Sequence, residues 1–77
     1  MRLEHLGKEI TRQRRKQKLS LRQAGALAGL SYQAVRNAEH GEASFESALR
    51  IAKKLGVPTN ILISLAESDA QDLVEQA

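Results

Sequence analysis

The sequence predicts an all-α fold, a compact five-helix bundle with a short acidic C-terminal tail, and three observations predict it. Apolar residues recur at spacings of three and four through most of the chain, the period of one helix face. Ser20, Ser31 and Ser44 stand just before such runs, and Gly29, Gly41 and Gly56 stand just after, where helices start and stop. With one Phe, one Tyr and no Trp, the core must be aliphatic, and no segment requires a strand.

The first helix spans residues 3 or 4 to about 18, because Leu3, Leu6, Ile10, Gln13, Arg14 and Gln17 fall on one side of a 3.6 period. Arg14 occupies a position where an apolar residue is expected. The second helix begins near Leu21, since Ser20 and Gln23 have the spacing of a capping box. Its buried face is Leu21, Ala24, Gly25 and Ala28, small enough for a second helix to come close. Gly29 ends it with a positive φ, and Leu30 follows as an apolar plug.

Ser31 caps a short third helix over residues 32–40 that stops at Gly41. Only Val35 and Ala38 form its apolar face, leaving Tyr32, Gln33, Arg36, Asn37 and His40 outward. Ser44 caps the fourth helix, with Phe45, Ala48, Leu49, Ile51, Ala52 and Leu55 as a broad buried stripe. Pro58 opens a fifth helix over about residues 59–65, where Ile61, Leu62, Ile63 and Leu65 offer more apolar surface than a four-helix core can cover. From Glu67 onward the chain is acidic and polar, and is read as an extra helix or a disordered tail.

A chain of 77 residues with 42% apolar content forms one small domain, and such a domain buries about 60% of its unfolded surface. The units are residues 1–65 and an acidic tail of residues 66–77. Without cysteine there are no disulfides, thiolate metal sites or cysteine nucleophiles. No apolar run has the length of a membrane span or signal core, so no membrane partner and a cytoplasmic location are expected. His5 and His40 stand isolated, and no nucleophile, metal-ligand or phosphate-loop motif appears. An enzyme is therefore not expected, and neither is a cofactor or metal.

The net charge of +3 is unevenly distributed. All twelve Lys and Arg lie between Arg2 and Lys54, a segment carrying +7, whereas residues 55–77 carry −4 and no base. The basic body suits a polyanion, and the tail is expected to point away from it. The stretch of residues 20–41, two short capped helices around a glycine turn, has the organisation of a DNA-binding helix-turn-helix.

Residues 6–57 resemble the Cro and phage-repressor type of helix-turn-helix, the Xre family of bacterial regulators. The resemblance rests on the basic R-Q-R-R-K-Q-K-L-S ending the first helix, the G-L-S turn at residues 29–31, the A-E-H-G closure at residues 38–41, and S-F-E-S-A-L-R-I-A-K-K-L-G-V from Ser44. It implies the lambda-repressor-like fold and sequence-specific binding of double-stranded DNA by a transcriptional regulator. This would be a bacterial or phage-type, nucleoid-associated repressor acting as a homodimer.

In such a motif the third helix enters the major groove, which makes Tyr32, Gln33, Arg36 and Asn37 the base-reading residues. Phosphate contacts are assigned to Arg12, Arg15, Lys16, Lys18, Ser20, Leu21, Arg22 and His40, with the backbone N–H groups of Ser20 and Leu21 serving at a helix start. The family pairs the Arg and Glu that stand here as Arg14 and Glu39 in a structural ion pair. Val57, Ile61, Leu62 and Leu65 are assigned to the dimer interface.

Two positions depart from the family. Leu21 replaces the Gln usual at the start of the second helix, and Glu42 stands in a loop that is often basic. They keep alternatives open: an antitoxin or restriction-modification controller acting with a toxin or other protein partner, or a protein-interaction module with little DNA affinity. The chain is read as a whole regulator rather than an excised domain, with no room for a ligand-sensing unit.

Overall fold

The computed structural model describes residues 2–76, with only the backbone for Gln76. Among these residues are five helices and no strand: α1 Glu4–Lys16, α2 Leu21–Ala28, α3 Tyr32–Glu39, α4 Phe45–Lys54 and α5 Thr59–Gln76. α2 and α3 pack on each other, α4 packs against both, α1 packs against α3 and α4, and α5 lies on α1 and α4. Leu3, Leu6 and Ile10 meet Val35, Ile51, Leu55 and Leu62 in an aliphatic core. Ala24, Ala28, Ala38, Ala48 and Ala52 supply the remaining buried contacts, and these small side chains let the short helices approach.

Local chemistry accounts for the helix limits. Ser20, Ser31 and Ser44 each accept a backbone N–H in the first turn of α2, α3 and α4. α1 ends earlier than its periodicity suggests, at Lys16, because Lys18 turns into the left-handed region with φ 57°. Its N-cap, Leu3, has no side chain that can accept a hydrogen bond. That function comes from the other end of the chain: Asp69, 2% exposed, accepts the N–H groups of His5 and Leu6.

The C-terminal segment differs most from expectation. Instead of a helix over residues 59–65 followed by a separate tail, α5 runs without a break from Thr59 to Gln76; Ala77, like Met1, lies outside the described residues. No Gly or Pro interrupts residues 59–76. Asp69 and Asp72 bind the start of α1, giving the acidic half a docking site. A Gln71–Glu75 hydrogen bond of 3.1 Å adds support along its outer side.

Burial also corrects the expected interfaces. Val57 and Leu62 are core residues at 3% exposure, so neither is available to a second subunit, and Leu65 is half-buried. Of the four residues assigned to the dimer interface, only Ile61 is exposed. Phe45 lies outside the buried stripe of α4 at 46% exposure, because that stripe turns away from it toward Ala48, Ile51 and Ala52.

Candidate nucleic-acid interface

The interface is built on α2, its turn and α3. Ser20 Oγ accepts the Gln23 N–H at 3.0 Å while Gln23 Oε1 accepts the Ser20 N–H at 2.7 Å, a closed capping box. α2 ends at Gly29, φ 69°, where the Leu30 N–H donates to the Gly25 carbonyl at 2.8 Å. This brings the chain so close to α2 that a Cβ on Gly25 would lie 2.6 Å from the Leu30 carbonyl oxygen. Gly25 thus sets the spacing between α2 and the start of α3. Ser31 Oγ accepts the Ala34 N–H at 3.2 Å and begins α3.

On α3, Val35 and Ala38 are buried, while Tyr32, Gln33 and Arg36 are exposed and Asn37 is half-buried. Positions 32, 33, 36, 37 and 40 lie within one outward arc of a 3.6-residue helix. The structure therefore gathers Tyr32, Gln33, Arg36, Asn37 and the exposed His40 on one side of α3. Their amide, guanidinium, phenol and imidazole groups are the kinds that hydrogen-bond to base edges or phosphate. Arg22 joins them, its guanidinium 4.8 Å from the centre of the Tyr32 ring. That cation–π contact fixes the Tyr32 ring beside α2 and holds the Arg22 charge at the mouth of α3.

The residues assigned to phosphate fall into two groups. Arg15, Lys16, Lys18, Arg22 and His40 are exposed cations or potential cations. Others already have partners or are partly covered. Arg12 is exposed, but it donates from Nε and Nη2 to Glu9 at 2.9 and 2.7 Å. That hydrogen bond holds the Glu9 carboxyl below its usual pKa, against the desolvation that raises it. The Ser20 N–H is bound to Gln23, so it reaches a phosphate only by leaving the capping box. Leu21 is half-buried and packs on the core, so only its backbone can serve an anion.

Arg14 and Glu39 meet between α1 and the end of α3. Arg14 Nε lies 2.5 Å from one Glu39 oxygen and Nη2 3.1 Å from the other, while Nη1 donates to the Leu19 carbonyl at 3.0 Å. The Glu39 hydrogen bond raises the Arg14 pKa above its ordinary value in spite of the desolvation that opposes it. The guanidinium therefore ties together α1, the turn before α2 and the closure of α3. Nearby, Gly7 lets α1 cross α3, since a Cβ there would sit 2.7 Å from the Ala38 carbonyl oxygen.

Away from this face, the structure assembles His5, Asp69 and Asp72, with His5 Nε2 2.7 Å from Asp72 Oδ2. Sequence reasoning missed the cluster because 64 and 67 positions separate His5 from Asp69 and Asp72. The available signal was Leu3, a helix start with no capping side chain, which implies a cap from elsewhere.

Among the described residues, no helix is long and apolar enough to cross a membrane. No curated protein and no solved structure matches the chain. A family model described as helix-turn-helix matches residues 10–62, which span α2, the turn and α3 together with most of α1, all of α4 and the start of α5. With that match over about two thirds of its length, the chain belongs to the Cro and phage-repressor type of helix-turn-helix family, whose members are DNA-binding regulators.

Proposed function

We propose that this protein is a transcriptional repressor that binds a specific duplex operator as a homodimer and acts by occluding promoter DNA. The observation that carries the reading is the outward arc of Tyr32, Gln33, Arg36 and Asn37 on a capped helix, with Arg22 beside Tyr32 and further exposed cations at Arg15, Lys16 and Lys18. Gln33 and Asn37 suit the adenine edge, Arg36 suits guanine, and Tyr32 offers its ring to a thymine methyl or its hydroxyl to phosphate. The cations neutralise phosphates and give binding a salt dependence. One α3 reads about half a helical turn, so two copies on half-sites about 10 bp apart multiply the contacts. In this reading it works in the cytoplasm of a bacterium, or in a phage-infected cell, on nucleoid DNA.

Selection of bound duplexes from a randomised pool, followed by in vitro transcription from a promoter carrying the selected site, tests the proposal. A two-fold symmetric site and transcription that falls as protein is added are expected. Increased transcription would overturn the repressor role.

A second reading has its own support. Half-buried Leu21 offers no polar side chain at the α2 start, and exposed Glu42 follows α3 with a negative charge. Both features favour a module that works through a protein partner, such as a toxin, with little DNA affinity. No enrichment from the pool would select this reading over the first.

A further inference from the structure

The chain before α1 is tied to the far end of α3. The Leu3 N–H donates to the Gly41 carbonyl at 3.0 Å, and Gly41, φ 76°, permits the approach, since a Cβ there would lie 3.3 Å from the Leu3 backbone. This arrangement carries Arg2 to the last turn of α3, where its Nη2 donates to the His40 carbonyl at 3.3 Å. The Arg2 side chain is 66% exposed, and the bond uses one of the five N–H donors of a guanidinium. Glu4 lies 3.6 Å from Arg2 Nε but is itself exposed, and a pair so open to water holds the guanidinium only weakly. Arg2 is thus an oriented cation that still faces solvent.

Electrostatics gives that position a task. The last carbonyls of a helix carry partial negative charge, and the exposed carboxylate of Glu42 follows directly after Gly41. Without a cation, this end of α3 would repel a phosphate. Arg2 stands at His40, while Arg22 stands 4.8 Å from the Tyr32 ring at the opposite end of the helix. Tyr32 and His40 are about 12 Å apart along the helix axis at 1.5 Å per residue, which matches a major groove about 12 Å wide. One arginine therefore attends each end of the outward arc.

We propose that Arg2 contacts a DNA phosphate at the C-terminal end of α3, across the groove from the phosphate that Arg22 meets, and offsets the negative charge of Glu42. This rests on the reading above that α3 docks in duplex DNA. Arg2 adds affinity without reading a base, because phosphate is the same beside every base pair.

Anisotropy titration of the full chain against the selected duplex and a scrambled duplex of equal length, over a series of salt concentrations, tests the assignment. Arg2→Gln is expected to weaken binding severalfold at low salt, by the same factor on both duplexes, and to lower the salt slope by about one unit per bound chain. Arg2→Lys keeps the charge and is expected to keep the slope. Glu42→Lys, added to the Arg2→Gln chain, returns a cation to this end of α3 and is expected to restore the slope. Weaker binding with an unchanged slope would mean that Arg2 only braces α3, whether or not the circular-dichroism melt falls, and would overturn the assignment. An unaltered titration would overturn it as well. A slope that Glu42→Lys does not restore would place the lost contact away from this end of α3 and overturn the position. A wild-type chain that binds neither duplex would overturn the reading above and this assignment with it, a result distinct from the others.

Discussion

The Asp69 carboxylate on α5 accepts the His5 backbone N–H on α1 at 2.8 Å across 64 positions of sequence, and its second oxygen takes the Leu6 N–H at 3.2 Å. The last helix of the chain therefore caps the first. A carboxylate at a helix N-terminus satisfies orphan donors and meets the positive end of the helix dipole. Because Asp69 is buried, water cannot readily replace it. Asp69→Ala is expected to destabilise the fold by about 1–2 kcal/mol, the cost of losing a strong cap, measured by urea unfolding. A change no larger than that of Ser68→Ala, an exposed neighbour, would show that the cap contributes nothing.

Glu39→Gln leaves the Arg14 guanidinium with its ionic partner gone in a region where the two side chains are only 15% and 11% exposed. Breaking such a pair from one side is expected to cost about 3–5 kcal/mol, since the remaining charge stays desolvated. The thermal melt should fall well below that of an exposed control, Glu42→Gln. The raised Arg14 pKa contributes stability that is fully present below the ordinary arginine value and lost only as pH rises through the raised one, far above neutrality. Any loss in the neutral range must therefore have another cause.

Gly25→Ala places a methyl group against backbone atoms of Leu30 and Ser31, which cannot rotate away as a flexible side chain would. The strain is expected to cost about 1–3 kcal/mol and to displace the start of α3. Both the melting temperature and duplex affinity should fall. Normal affinity in a protein that folds normally would mean that the α2–α3 spacing does not position the reading helix.

Glu9 holds the Arg12 guanidinium, so if Arg12 contacts phosphate as proposed, Glu9 must compete with DNA for it. Its lowered pKa means that the restraint is complete above the ordinary glutamate value of 4.5 and lost as pH falls through the lowered one, so it is in force at neutral pH. Glu9→Gln removes the carboxylate that holds Arg12. Tighter binding to all duplexes is expected, with a salt slope steeper by about one unit. An unchanged slope would remove Arg12 from the phosphate contacts.

The reading half of the molecule was legible because its signals are local. Ser20 with Gln23, Gly29, and Ser31 each act over one helical turn, and all three form the bonds their spacing implies. From periodicity alone Arg14 was legible only as an anomaly, a charge on an apolar face; its pairing with Glu39, 25 positions away, came from the family resemblance. The C-terminal half was less legible. Polar composition after Glu67 reads as a tail when hydrophobicity is the criterion, yet two of its acids are ligands for α1. Leu62 looked like spare apolar surface because counting apolar residues does not reveal which face a helix turns inward. Side chains that act on distant backbone leave little periodic trace.

The most direct test of recognition by α3 is an anisotropy titration of wild-type and Asn37→Ala protein against the selected duplex and its single-base variants at two salt concentrations. If Asn37 reads a base, the substitution costs about 1–3 kcal/mol on the preferred duplex, abolishes discrimination at one base position and leaves the salt slope unchanged. Equal weakening on every duplex, with discrimination intact at all positions, would contradict base readout by α3.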